Sequence, residues 1–168
     1  GTECVAQPLP LPGDRVFVSS GYGIGCKLFQ IQRQEGALLQ ASLVWETTRF
    51  KAKFANFVHR EGYIYGLDDG ILACLDLRTG QRRWKRGRYG HGQVILVDDV
   101  LLVQAESGTL ILLEANPQAH KELARLDGGH VVHPGLQTGN GVNGLVGIGL
   151  DGGLAAVNRL QLYTAVDQ

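Results

Sequence analysis

The stretch from Tyr63 to Trp84, YIYGLDDGILACLDLRTGQRRW, decides how the rest of the chain is read. Two short apolar runs, Tyr63-Ile64-Tyr65 and Ile71 to Leu75, flank Asp68-Asp69-Gly70. Aromatic and β-branched residues favour extended backbone, and an Asp-Gly pair favours the tight turn that sends a strand back beside itself. A second turn, Leu77-Arg78-Thr79-Gly80, closes the returning strand, with a glycine free to take positive φ. Gln81 to Trp84 opens a further strand. Upstream, Asn56-Phe57-Val58 precedes the turn His59-Arg60-Glu61-Gly62. Together these signals predict a four-stranded antiparallel meander.

The same pattern recurs. A shift of 38 positions lays Gly70 on Gly108, Tyr63-Ile64-Tyr65 on Leu101-Leu102-Val103, Leu72 on Leu110, Leu75 on Leu113 and Asp76 on Glu114. A looser copy lies upstream: GDRVFVSS carries a turn and strand, CKLFQIQR the return, and Leu43 to Thr47 the outer strand, with Trp45 in the role of Trp84. The enlarged loop Gly21 to Gly25 lacks the helix and Lys-Ser/Thr pair of a phosphate cradle. A four-stranded unit repeating at roughly 40 residues is the mark of a propeller blade, which buries its two faces only against its neighbours. The expected fold is therefore all-β: a partial or small β-propeller of three to four blades, with units at about 12–50, 54–90 and 92–127. Residues 128–168 are nearly uncharged at first and read as a degenerate blade, as an atypical tail, or as a shifted reading frame.

Composition narrows the function classes. Lys plus Arg equals Asp plus Glu at 16 each in 168 residues, so no net field favours nucleic acid or acidic lipid. No apolar run approaches the roughly 20 residues of a membrane span. The chain opens on Gly1 without a charged-then-apolar leader, as a piece of a longer protein would, with any export signal upstream. Cys74, inside an apolar run, is expected to be a small buried hydrophobe, whereas Cys4 and Cys26 could pair if the parent is exported.

Ala73, Asp76, Thr79, Gly80 and Trp84 fall in order on the repeat ALYALDxxTGxxxW of the pyrroloquinoline-quinone-type (PQQ-like) propellers, which this sequence resembles from about Pro12 to Leu126. Trp45 belongs to a partial copy. In that family the outer Trp packs over the Gly turn of a neighbouring blade. More narrowly, the stretches LPGDRVFVSSGYGIGC, HREGYIYGLDDGILACLDLRTGQRRWKRGRYGHGQVIL and HKELARL resemble bacterial PQQ-binding-like proteins related to the outer-membrane assembly propeller lipoprotein. That resemblance implies a non-catalytic scaffold with a protein or polymer partner in the periplasm or cell envelope, no bound cofactor, and a second copy as one way to complete the ring. The alternative is a fragment of a PQQ- and calcium-dependent quinoprotein oxidoreductase. The adjacent Cys-Cys pair of some quinoprotein dehydrogenases is absent from the sequence.

Candidate site residues follow from the blade frame. Loops from an outer strand to the next inner strand share one face with the turns between the middle strands. Two such crossover loops are polar: TTRFKAKFANF, with Lys51, Lys53 and Asn56, and KRGRYGHGQ, with Arg88, Tyr89, His91 and Gln93. Asp68, Asp69 and Glu106 lie in the middle-strand turns of that face. These residues form the expected ligand or partner face, with His91 beside Tyr89 as an acid–base pair for which no nucleophile is placed. No catalytic residue and no metal ligand set is assigned. Asp68-Asp69 lacks the spaced oxygen ligands that a hard cation needs, and the histidines share no metal spacing.

Overall fold

A computed structural model describes residues 5–34, 38–127, 130–132, 145–148 and 162–165. Its first sheet orders β1 (Leu9–Leu11), β2 (Arg15–Ser20), β3 (Gly25–Arg33) and β4 (Leu39–Thr47) side by side. The second follows with β5 (Phe57–Arg60), β6 (Tyr63–Asp68), β7 (Ile71–Asp76) and β8 (Arg82–Arg88). The third holds β9 (Gln93–Val97), β10 (Val100–Gln104), β11 (Leu110–Glu114) and β12 (Glu122–Asp127), with β13 (His130–Val132) added beside β12. All pairings in these sheets are antiparallel between consecutive strands. β14 (Leu145–Ile148) and β15 (Leu162–Ala165) pair with each other. The remainder of 128–168, where the degenerate blade was expected, lies outside the described residues.

The stretch around Gly70 folds as its turn residues dictate. Asp68 pairs with Ile71, so the turn is the two residues Asp69 and Gly70, with φ of 49° and 80°. Glu61 and Gly62, at 47° and 83°, turn β5 into β6 in the same way. Two successive positive φ values define the turn whose twist matches that of the flanking strands. The next turn is tied by side chains. Asp76 Oδ1 accepts the N–H groups of Arg78 and Thr79, each at 3.0 Å, and Thr79 Oγ1 accepts that of Gln81 at 3.3 Å.

Alternation then assigns each strand two neighbours. Ile64, Ala73 and Leu75 of the second sheet join Phe17, Cys26 and Leu28 of the first in one buried cluster. Tyr65, Leu67, Leu72 and Cys74 join Val94, Leu101, Val103, Ile111 and Leu113 of the third in another. Phe17 anchors the first seam, edge-on to Phe57 at 4.8 Å and Phe50 at 5.9 Å. Cys26 and Cys74 are free, buried thiols, each pushed up to about 12 chiefly by burial. Cys4, the partner considered for Cys26, lies outside the described residues.

The outer tryptophans lock successive sheets. Trp45 Nε1 donates to Leu77 O, and Trp84 Nε1 to Asn116 O, each at 2.9 Å and each 32 residues along the chain. Gly80 therefore serves the preceding blade's tryptophan: a Cβ there would stand 2.8 Å from Trp45 Cε3. Trp84 packs on side chains. Its ring lies against His120 at 5.8 Å and Tyr65 at 6.1 Å.

Candidate functional site

The ten residues expected on the crossover-loop face divide into those that join blades and those that face out. Asp68 belongs to the first group, and its place as a ligand candidate is corrected by burial. At the inner end of the β6–β7 turn its carboxylate is wholly buried. Oδ1 accepts the Lys51 N–H at 3.0 Å, and Oδ2 takes Lys85 Nζ at 2.7 Å with Arg82 at 3.5 Å. One turn thus carries the loop from the first blade and the outer strand of its own. Lys51 Nζ bonds the exposed Asp69 at 3.0 Å. That hydrogen bond holds the Lys51 ammonium above its ordinary value, with burial opposing and Asp68 assisting.

Asn56 and Gln93 hold the second blade to the third. Asn56 Oδ1 accepts the Val94 N–H at 2.8 Å, and its amide N–H donates back to Val94 O, so one side chain extends the strand pairing across the seam. Gln93 Oε1 accepts the Asn56 N–H at 3.4 Å while its amide N–H donates to Phe54 O at 3.2 Å.

The Tyr89–His91 pairing is also corrected. Tyr89 is buried, and its hydroxyl meets His120 Nε2 at 2.9 Å with the two rings stacked. Burial, then the Glu122 carboxylate, pushes Tyr89 up to about 12, and burial also lowers His120. These groups sit at a seam that keeps both neutral. His91 turns the other way: its N–H donates to Glu106 Oε2 at 3.1 Å, and its ring packs edge-on to Phe54 at 5.6 Å. Arg88 is exposed and borders an open cleft of about 420 Å³ with Tyr89, Glu106, Ser107 and Arg125.

Lys53 remains at the surface. Its ammonium stands 4.4 Å from the centre of the Tyr22 ring and 5.1 Å from that of Phe54. Tyr22, Ile24 and Phe54 are 51%, 43% and 43% exposed. These three did not enter the sequence-based site. The available signal was an aromatic residue in a glycine-rich loop, and another in a loop otherwise rich in cations.

Asp68, the acid best placed to hold a cation, has its oxygens committed to three cationic side chains, Lys51, Arg82 and Lys85, and a backbone N–H. Among the described residues no three His, Cys, Asp or Glu side chains stand together as a cation site.

Consecutive four-stranded meanders, inner strands β1, β5 and β9 in contact in turn, and outer tryptophans docked forward onto the next sheet define the fold as β-propeller blades. Solved structures agree. A europium-containing methanol dehydrogenase matches 73% of the chain at 17% identity and a TM-score of 0.52. BamB from Moraxella catarrhalis matches 96% at 15% identity and a TM-score of 0.51. The chain spans only 25% of the first protein and 54% of the second. No family model matches the sequence, and neither does any curated protein.

Proposed function

We propose that this chain is a non-catalytic interaction module of a PQQ-like propeller, presenting its crossover-loop face to a protein or polymer partner at the bacterial cell envelope. One observation carries the reading. The side chains best suited to acid–base or ligand chemistry, Asp68, Asn56 and Tyr89, are used to join blades, and those left outward are cationic and aromatic apart from Asp69 and Glu106, which are bonded to the Lys51 ammonium and the His91 backbone N–H. A rigid rim of that composition suits docking better than turnover. The shared fold with BamB accords with this role. No helix among the described residues is long and apolar enough to cross a membrane.

Two measurements test the proposal. The first titrates pyrroloquinoline quinone with calcium and follows absorbance and thermal shift; tight, calcium-dependent binding would replace the module reading with the quinoprotein one. The second places a photo-crosslinking residue at Phe54 of the full-length protein in cells. A discrete adduct is expected there, and none from the same residue placed at Glu61 on the opposite face.

A further inference from the structure

Tyr22, Ile24, Lys53, Phe54 and His91 come from three different connections, yet they form one rim. Tyr22 and Ile24 stand in the loop between β2 and β3, Lys53 and Phe54 in the crossover from the first blade to the second, and His91 in the crossover to the third. The contacts among them are built. Gly21 leaves room for the Lys53 stem: a Cβ there would fall 2.7 Å from Lys53 Cγ. With its stem laid on that loop, Lys53 brings its ammonium to the Tyr22 and Phe54 rings. The Gln93 side chain pins Phe54 O from the third blade, and Phe54 in turn supports the His91 ring.

Tyr22 itself is unusual. Its φ of 57° lies in the left-handed region, which bulky residues avoid, and its ring stays half in water. Local strain that yields no burial is a mark of surfaces held ready for a ligand.

Charge selects the occupant. Among the described residues, no carboxylate pairs with Arg49, Lys53 or Arg88, all on the crossover loops. Asp69 is bonded by the Lys51 ammonium, and Glu106 accepts the His91 backbone N–H, which leaves its charge in place. Four cations, Arg49, Lys51, Lys53 and Arg88, stand on this face against those two exposed carboxylates, so it is cationic although the chain is neutral overall, and its exposed apolar surface is mostly aromatic. We infer that this rim docks an acidic peptide segment of another protein, one carrying an aromatic or aliphatic residue flanked by Asp or Glu. The apolar residue covers Tyr22, Ile24 and Phe54, and the flanking carboxylates meet Lys53 and the arginines of the crossover loops. This rests on the interaction-module reading and names the chemistry of its partner.

The test displays random dodecapeptides against the whole chain. Selected binders are then measured against the wild type and against the Lys53→Glu and Tyr22→Ala/Phe54→Ser variants. These residues are surface-exposed or half-buried, and matching thermal melts would show that the variants fold. Enriched peptides should be acidic with an embedded apolar residue. Lys53→Glu should weaken them by at least about tenfold, an effect that salt shares. Enrichment of neutral or basic peptides, no enrichment at all, or binders indifferent to both variants would overturn the inference. So would a preference for an oligosaccharide or for anionic vesicles over every selected peptide. A Phe54 crosslink with no acidic-peptide binding would leave the module reading standing and remove this one, whereas calcium-dependent quinone binding would remove the module reading itself.

Discussion

Gly80→Ala measures the lock between blades directly. Two effects act at this position. Its φ of 69° puts any L-residue in the left-handed region, at about 1 kcal/mol. The new methyl would also meet Trp45 Cε3 at 2.8 Å and Cδ2 at 3.0 Å, so the indole must move. Overpacking of this kind costs about 1–3 kcal/mol, and loss of the Trp45–Leu77 hydrogen bond adds about 1 kcal/mol. The expected total is about 3–5 kcal/mol. Gly62→Ala is the control: its φ is 83°, and a Cβ there meets nothing within 4 Å, which leaves the backbone effect of about 1 kcal/mol. Urea unfolding followed by tryptophan fluorescence should separate the two variants by about 1 M in midpoint. In a Trp45→Ala background, Gly80→Ala should fall to the cost of the control. Equal losses for the two glycines in the native background, or an undiminished loss without Trp45, would refute the docking argument.

Trp45→Ala and Trp84→Ala should each cost about 3 kcal/mol in the same assay, because both indoles make the same forward contact despite the looser sequence of the first repeat. Asp68→Asn removes the one carboxylate between Lys85, Arg82 and the Lys51 N–H, and should lower stability by about 3 kcal/mol in urea unfolding at neutral pH. Burial lowers His120 from 6.5, so the unfolded chain takes up this proton first as pH falls. Stability is complete above about 6.5 and declines below it, and the acid limb of a Tm-against-pH curve should flatten in His120→Gln. His59, also lowered by burial, acts in the same direction and leaves a residual slope. Finally, Leu38, Leu39, Leu43 and Val44 are exposed along the outer strand of the first blade, and propellers close with about 4–8 blades. Light scattering should therefore find the isolated chain self-associated, and a compact monomer at high concentration would count against an open ring.

The second blade was the most legible in sequence because its information is local. Asp-Gly and Glu-Gly select their turns without outside help, and period-two alternation sorts Ile64 from Tyr65 and Ala73 from Cys74. The first blade was read more loosely because the Gly21 to Ile24 loop interrupts the rhythm between β2 and β3. The site was far less legible, for a reason of distance. Asp68 and Asn56 look in sequence like solvated turn and loop residues. Their partners lie 17 and 38 residues away, and only strand pairing within a blade or packing between blades brings them together. Tyr89 was misassigned for the same reason: the neighbour in sequence, His91, lost to His120, 31 residues on. Asp76 and Thr79, whose partners lie two or three residues away, could be assigned from sequence.

The equal reach of the two tryptophan bonds, 32 residues in each case, bears on how such a chain can change by recombination. If the segment from Glu46 to Trp84 were excised, Trp45 would inherit the continuation of Trp84, and its indole N–H would find the carbonyl of Asn116 at its accustomed spacing. Duplication of the same segment would insert a blade whose forward and backward docking partners already exist. Ancestors of this gene could have gained or lost whole blades by unequal crossing-over without inventing a new interface. The bulge of aromatic surface around Tyr22 and Phe54 does not share that freedom: it draws on three connections of unlike sequence, so a changed blade count would preserve the ring's joints and erase its recognition surface.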